Sequence, residues 1–281
     1  MFFPDFNKMA FISISGVSKS FANNSNNNQR QYVLKNVHLS ICHKEFVILF
    51  GRNGSGKTTL LNIIAGILQP DNGEVRINGK HSAEEKVGFV FQNYRDSLLP
   101  WKTNAENIAF PLELEGMKKK ERVQKVKALL NKLDITLPLA RFPYQCSGGE
   151  QQLVAILREL ITSPKLLLMD EPFSSLDDEY RRYLRLKIQE IWQKLEITII
   201  FVSHDIDEAL QLGDRILIIS GSRGKIARRT VNINFVRPRT NDIIYSQKFR
   251  KLKKQFFLSP SSGTGKAREK IIGKKNFKRQ S

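Results

Sequence analysis

The segment GRNGSGKTT, residues 51–59, narrows the possible folds of this chain more than any other part of its sequence. The apolar run EFVILFG before it predicts a buried strand, and KTTLLNIIAGIL predicts a helix beginning inside it. The segment matches the pattern G-x-x-x-x-G-K-[ST], and a strand followed by a helix is the setting in which this pattern binds phosphate. We therefore expect an α/β protein with a phosphate site at this turn.

The residue types of the segment suit the phosphates of a nucleotide. Gly54 and Gly56 let the backbone turn its N–H groups toward a β-phosphate. Lys57 places a positive charge on the β- and γ-phosphates, and the Thr58 hydroxyl is an oxygen ligand suited to Mg²⁺. The residues predicted to surround the phosphates are Gly51, Arg52, Asn53, Gly54, Ser55, Gly56, Lys57, Thr58 and Thr59.

A second segment, KLLLMDEP, supplies acidic groups. Its apolar residues 166–169 predict a strand that ends in Asp170 and Glu171. Ligands of parallel α/β sheets bind at the carboxyl ends of the strands. We predict that Asp170 holds Mg²⁺ and that Glu171 polarises the attacking water.

Strands and helices alternate along most of the chain, which predicts a parallel sheet. AFISISGVSKSF and YVLKNVHLSI predict strands, and the polar segment NNSNNNQ between them predicts a loop. Residues 104–162 are predicted to be mostly helical, with breaks at Gly116, Pro138 and Pro143. This helical stretch lies between two portions of the sheet and is therefore expected to form an inserted lobe.

The composition favours a soluble protein in a reducing compartment. Of its 281 residues, 41% are hydrophobic, enough for a substantial core. No apolar run approaches the roughly 18 residues needed to span a bilayer, and the N-terminus is a poor signal peptide. The two cysteines, Cys42 and Cys146, do not suffice for a disulfide framework.

The positive charge is concentrated at the C-terminal end. Residues 222–281 contain 18 Lys and Arg against two acids, a net charge of +16 out of +19 for the chain. A segment of this charge is typical of binding to nucleic acid or anionic lipid. The alternative is a solvated, disordered tail. For residues 259–281 we expect the disordered tail.

The segment CSGGEQQ, residues 146–152, precedes a helical pattern of apolar residues. Its Ser-Gly-Gly therefore lies at a helix N-terminus, where backbone N–H groups lack partners within the helix. Such a terminus suits an anion.

These motifs occur in the order GRNGSGKTT, FQ, SGGE, LLLMDEP, SSLD and VSHD, which resembles the nucleotide-binding subunit of ABC transporters over about residues 10–258. The resemblance implies a P-loop NTPase of the ABC ATPase fold: a parallel-sheet core, an antiparallel β part near the N-terminus and a helical lobe at about residues 93–162. It implies ATP hydrolysis with ATP and Mg²⁺ as cofactors. The ATP-binding domain would span residues 1–258, followed by the basic tail 259–281.

The resemblance also implies roles for residues outside the P-loop. Glu171, His204 and Gln92 would be catalytic, with His204 contacting the γ-phosphate. Mg²⁺ would be held by Thr58, Gln92 and Asp170. Phe21 would stack on adenine; Tyr32 is the competing candidate, and core packing is the alternative role for Phe21.

Further implied roles concern a second subunit. Ser147, Gly148, Gly149 and Glu150 would close over ATP bound to the partner, and Ser175, Leu176 and Asp177 would lie in the dimer interface. Three positions depart from the family pattern: Cys146 replaces Leu, Glu150 replaces Gln and Leu153 replaces Arg. We expect Cys146 to be a small apolar substitute, not a catalytic thiol.

The segments FVFQNYRDSLLPWKTNAENIAFPLELEG and HDIDEAL resemble importers of nitrate, sulfonate, taurine and bicarbonate. The implied partners are a second ATP-binding subunit, identical or homologous, an integral membrane permease and, indirectly, a solute-binding protein. The residues from about Arg95 to Trp101 would lie near the groove that receives the permease. Within them Leu98 and Trp101 would anchor the contact, with packing inside the lobe as the alternative for Trp101.

The resemblance implies a place on the cytoplasmic face of the inner membrane. The bias toward Lys, Asn and Ile is typical of an AT-rich genome, bacterial or plastid, so the stromal side in a plastid is the alternative. Nucleic acid is not an expected partner. The competing function is an ABC-type ATPase that acts on nucleic acid or ribosomes through the basic tail.

Overall fold

The computed structural model describes residues 10–22, 30–219 and 226–258. The predicted loop at residues 23–29 and the predicted tail at residues 259–281 lie outside the described residues. The boundary at residue 258 between the ATP-binding domain and the basic tail therefore stays a prediction.

The described residues form ten strands and eight α-helices in an alternating order. The strands are β1 Ile12–Ala22, β2 Arg30–Ile41, β3 Phe46–Phe50, β4 Asn72–Ile77, β5 Lys80–His81, β6 Val87–Val90, β7 Leu166–Asp170, β8 Thr198–Ser203, β9 Arg215–Ile219 and β10 Ile226–Asn232. The helices are α1 Lys57–Ile64, α2 Tyr94–Ser97, α3 Asn104–Leu114, α4 Lys119–Leu133, α5 Gly148–Leu160, α6 Asp178–Leu195, α7 Ile206–Leu212 and α8 Gln247–Leu258.

The centre of the fold is a six-stranded sheet in the order β10-β9-β3-β8-β7-β6. Its strands pair in parallel except for β10 against β9. Strands β3, β7 and β8 are buried along their whole length, as expected for strands covered on both faces. The predicted parallel core is confirmed.

The two faces of this sheet belong to two hydrophobic clusters. Along β3, Phe46 and Ile48 pack with the helical lobe, whereas Val47 and Leu49 pack with β1, β2, β4 and α1. This division follows from the alternation of side chains along a strand. The second layer is a four-stranded antiparallel sheet in the order β2-β1-β4-β5, as predicted for the N-terminal part.

The helical lobe consists of α2 to α5, with a 3₁₀ turn at Pro143–Gln145 before α5. Helix α3 begins with a capping box in which Thr103 and Glu106 bond each other's backbone N–H. Gly116, at a φ of 81°, follows α3, and Asp134, at a φ of 51°, follows α4. The predicted lobe and its breaks are confirmed. No helix in the described ranges is both long and apolar enough to cross a membrane.

The elements at the C-terminal end, β10 and α8, were not predicted from the sequence. Between them lies Arg239, which is only 1% exposed and donates to the carbonyl oxygens of Leu210, Gly213 and Ile233, so it ties the segment after β10 to the end of α7. Burial lowers the pKa of the Arg239 guanidinium to about 10. Helix α8 adds Phe256, whose ring meets that of Phe50 edge-on at 5.0 Å between centroids.

The Arg239→Leu substitution should lower the free energy of unfolding by about 3 kcal/mol or more, because it leaves several buried carbonyl oxygens without donors. Urea denaturation would measure the loss. Arg250→Leu is the matched control, since Arg250 is exposed on α8 and should cost less than about 0.5 kcal/mol. Equal losses in the two variants would contradict the role assigned to Arg239.

Candidate functional site

The site lies where four neighbouring strands end. Phe50 of β3 pairs with Ser203 of β8, and β7 and β6 continue the sheet on the far side of β8. The residues that directly follow these strands, among them Gly51, Glu171 and His204, therefore meet at one edge of the sheet. This edge is where ligands of parallel sheets bind.

The turn between β3 and α1 has the properties of an anion site. The buried Nζ of Lys57 donates to the carbonyl oxygens of Gly51 at 3.0 Å and Arg52 at 3.1 Å. The hydroxyl of Ser55 is buried and has no hydrogen-bond partner. Helix α1 begins without a side-chain cap, so its first N–H groups remain available to a phosphate.

Two glycines of this turn cannot be replaced without strain. Gly56 has a φ of 93°, which residues with a Cβ rarely adopt. At Gly51 an added Cβ would lie only 2.5 Å from the carbonyl oxygen of Ile219, on the neighbouring strand β9. The sheet therefore fixes the start of the turn.

Asp170 and Thr58 form the part of the site that suits a cation. Asp170 is 4% exposed, and burial raises the pKa of its carboxyl although the Thr58 hydroxyl donates a hydrogen bond to it. A hydroxyl and a carboxylate in contact are two hard oxygen donors, which Mg²⁺ prefers. The residues present thus fit a magnesium ion.

Glu171 lies between two basic groups. Its Oε1 is 3.7 Å from Nζ of Lys57, and its Oε2 is 2.9 Å from Nδ1 of His204. Glu171 has a φ of 43°, a strained conformation that non-glycine residues often adopt at functional sites. The side chain of His204 is 57% exposed.

The remaining predicted ligands lie around this centre. Gln92 is exposed two residues after β6, beside the strand that ends in Asp170. Phe21 and Tyr32 are 44% and 41% exposed, so neither is a core residue. The core-packing alternative for Phe21 is therefore wrong, and both aromatic residues stay candidates for adenine.

The start of α5 differs in part from the prediction. Ser147 and Glu150 form a capping box: the Ser147 hydroxyl accepts the Glu150 N–H, and the Glu150 carboxylate accepts the Ser147 N–H at 2.7 Å. These two amides therefore do not lack partners. The amides of Gly148 and Gly149, at the first helical positions, are the ones left for an anion.

Three aromatic or charged residues lie beside these glycines, a position that the sequence did not predict for them. An added Cβ at Gly149 would lie 2.0 Å from the ring of Tyr180, whose pKa burial raises to about 12. An added Cβ at Gly148 would lie 3.0 Å from the hydroxyl of Tyr94 and 3.2 Å from Nη2 of Arg95. Nothing in the spacing of the sequence joins these residues, because α2 and α6 reach α5 only through the tertiary fold.

Two predicted contact residues are corrected. Leu98 is 4% and Leu176 is 6% exposed, because both pack in the core, so their side chains cannot contact a partner. Trp101 is 71% exposed, which excludes the alternative that it packs inside the lobe. The segment before it is held by Asn107, whose carboxamide bonds the backbone of Leu99 in both directions.

Cys146 is half-buried beside the cap of α5. Its sulfur accepts a hydrogen bond from Nδ2 of Asn104 at 3.1 Å and lies 3.5 Å from the carbonyl oxygen of Phe142. The side chain thus joins α3 to the loop before α5. This is a packing role, in line with the expected substitute for Leu.

Comparison with known proteins agrees with this geometry. The sequence profile of the family described as ABC transporter matches residues 34–174. The chain is 39% identical over 246 residues to the aliphatic sulfonates import ATP-binding protein SsuB of Bacillus cereus, covering 87% of this chain and 93% of that protein. The chain belongs to the ABC transporter family. Its fold and phosphate motifs are those of an ABC ATPase.

Two further similarities concern substrate and assembly. The trehalose import ATP-binding protein SugC of Mycobacterium tuberculosis is 40% identical over 218 residues, 76% of this chain and 53% of that protein. A solved dimeric structure of the ATP-binding cassette MJ0796, bound to ADP and Pi, is 31% identical, with a TM-score of 0.69. This similarity covers 80% of the ABC ATPase described here and 100% of MJ0796.

Replacing Asp170 by Asn should stabilise the nucleotide-free ABC ATPase increasingly as the pH rises. Because the pKa of Asp170 is raised above 3.8 in the fold, the folded state binds its proton more tightly, and stability is lost as the pH rises through the folded pKa. Thermal melts from pH 4 to 7 should show a growing gain for Asp170→Asn over wild type. Asp178→Asn is the control variant, because Asp178 is exposed. A difference between Asp170→Asn and wild type that does not change with pH would contradict the proposed cost of ionising Asp170 in the fold.

Proposed function

We propose that this chain is the ATP-hydrolysing subunit of an ABC importer for a small anion such as nitrate, sulfonate, taurine or bicarbonate. The observation that carries the proposal is the connected series Lys57, Glu171 and His204, with contacts of 3.7 and 2.9 Å at the carboxyl ends of adjacent strands. This series puts a phosphate ligand, a candidate base and an exposed imidazole in one place.

In the proposed reaction, the P-loop amides and Lys57 bind the β- and γ-phosphates of ATP. Thr58 and Asp170 would hold Mg²⁺, which neutralises charge on the phosphates when bound. Glu171 orients the attacking water and accepts its proton, while His204 fixes Oε2 of Glu171 and contacts the γ-phosphate. Gln92 would touch both the cation and the water from the end of the next strand.

The site is proposed to be complete only in a dimer. The glycines at the start of α5 belong to the helical lobe and would close over ATP on the second subunit. The dimeric form of the similar cassette MJ0796 supports this assembly. Ser175 and Asp177, both exposed, would lie in the interface.

The protein is proposed to act at the cytoplasmic face of the inner membrane, where it would bind a permease. Trp101 supports the permease contact, because its side chain is large, apolar and 71% exposed. It lies at the end of the segment that follows Gln92. The choice of a small anion rests on the likeness to the sulfonate subunit SsuB; the trehalose subunit SugC has a similar identity, 40%, but the match covers only 53% of that protein. The solute-binding protein would act on this chain only indirectly, through the permease.

Glu171→Gln should bind ATP, form a stable dimer and hydrolyse ATP at least 100-fold more slowly, because the amide cannot accept the proton of water. Gel filtration with and without ATP and a phosphate-release assay measure the two effects. Glu179→Gln, an exposed acid on α6, is the control and should keep normal turnover. Normal turnover in Glu171→Gln would remove Glu171 from the catalytic role.

Trp101→Ala should reduce co-purification with the permease from membranes several-fold, whereas ATP hydrolysis by the isolated subunit is unchanged. Tyr245→Ala, which removes another aromatic residue of 67% exposure, is the control.

Import of labelled sulfonate, nitrate and trehalose by cells that contain the complex tests the solute. Salt-sensitive retention on RNA without any permease would favour the competing function on nucleic acid.

A further inference from the structure

Two segments that follow neighbouring strands face each other beside the phosphate site. They are the β7–α6 loop, residues 171–177, and the β8–α7 turn, residues 204–205. A cavity of about 70 Å³ lies between them, and residues of both segments form its walls. Besides the contact of Glu171 with His204, charged side chains of α6 and α7 connect the two segments.

Glu208 of α7 holds the β8–α7 turn. Its side chain is buried, and its Oε2 accepts a hydrogen bond from the hydroxyl of Ser203 at 2.8 Å. The same hydroxyl accepts the backbone N–H of Asp205 at 2.9 Å. Because His204 lies between these two residues in the chain, Glu208 fixes the backbone on both sides of the imidazole.

Arg181 of α6 holds the β7–α6 loop. Its Nη2 donates to the carbonyl oxygen of Leu176 at 2.8 Å, and its Nε donates to that of Phe173 at 3.3 Å. The planar guanidinium therefore restrains the path of the loop at two points. Ser175, which is proposed to lie in the dimer interface, stands between these two points. A displacement of Ser175 by a second subunit would therefore act on Arg181.

The side chains of Arg181 and Glu208 meet across the two segments. Oε1 of Glu208 is 4.0 Å from Nε of Arg181 and 3.4 Å from Nη2 of Arg185. Burial raises the pKa of the Glu208 carboxyl, whereas the Ser203 hydroxyl and the two guanidinium groups favour its ionised form. At 4.0 Å the contact with Arg181 is an ion pair and not a hydrogen bond, so a small displacement of the loop changes its strength.

We propose that Glu208 and Arg181 are positioning residues that couple the β7–α6 loop to His204. This inference rests on the proposed function, from which it takes the dimer and the contact of His204 with the γ-phosphate. A second subunit that presses on the loop moves Arg181, and Glu208 passes this displacement through Ser203 to the β8–α7 turn. Neither residue touches ATP; both act through the place of the imidazole.

The first test compares the kinetics of Glu208→Gln with those of wild type. The carboxamide keeps the size of the side chain and still accepts from Ser203, but it lacks the charge that faces Arg181. We expect kcat to fall roughly tenfold, because a small misplacement of a reacting group is costly. KM for ATP should change less than about twofold, since the P-loop is untouched. Each variant is assayed well below its own melting temperature.

Arg181→Lys tests the same connection from the other end. The ammonium group keeps the charge beside Glu208, but it cannot hold two carbonyl oxygens in a planar fork. The same lower kcat with unchanged KM is expected. The double variant Arg181→Lys, Glu208→Gln should be slower than the slower single variant by less than about twofold, because both changes interrupt one connection.

Glu190→Gln is the matched control. It also removes a carboxylate from an ion pair on α6, with Lys187 at 2.6 Å, but this pair faces the end of α4 and not the two segments. Its kcat should equal that of wild type. Normal kcat in Glu208→Gln and Arg181→Lys would overturn the inference and leave the proposed function intact. Losses that multiply in the double variant would overturn the coupling of the two residues.

A second test asks whether Glu208 acts through His204. Phosphate release is followed over hours in a single turnover, with enzyme in excess of ATP, in His204→Ala and in His204→Ala, Glu208→Gln. The added change should slow release by less than about twofold, because no imidazole remains to be positioned. A further tenfold loss would show general damage and overturn the inference. A normal rate in His204→Ala would instead overturn the proposed role of His204, and the inference with it.

Discussion

Lys57 has its ammonium group buried among the carbonyl oxygens of the turn before α1, 3.7 Å from Glu171, and this arrangement depends on the parallel pairing of β3, β8 and β7. A change of one residue in the register of β7 would turn Asp170 and Glu171 to the opposite faces of the sheet. The pairing is stable because all three strands are apolar and buried on both faces. The charged groups of the site thus lie beside strands that are buried along their whole length.

Helix α2 joins the helical lobe to the end of β6 in the central sheet. Arg158 holds α2 on α5, and α2 directly follows the segment of Gln92. The segment of Gln92 is thereby connected to α5 within one subunit.

The C-terminal segment completes the body of the domain. Arg239 satisfies buried carbonyl oxygens at the C-terminal end of α7, and Lys253 forms an ion pair with Asp207 three residues after His204. Phe256 packs on Phe50, the residue that precedes the P-loop. This end of the chain therefore supports two parts of the phosphate site, although its sequence is dominated by Lys and Arg.

The sequence by itself predicted most of the strands, the lobe and the candidate residues of the phosphate site, because apolar periodicity and the spacing of Gly54, Lys57 and Asp170 are local properties of the chain. It missed α8, because the many basic residues hide the spacing of Phe249 and Phe256. Only the tertiary structure decided that Leu98 and Leu176 are buried, since their exposure depends on elements distant in sequence. The same holds for Tyr94, Arg95 and Tyr180, which reach the glycines of α5 by packing between helices. No local pattern encodes such contacts.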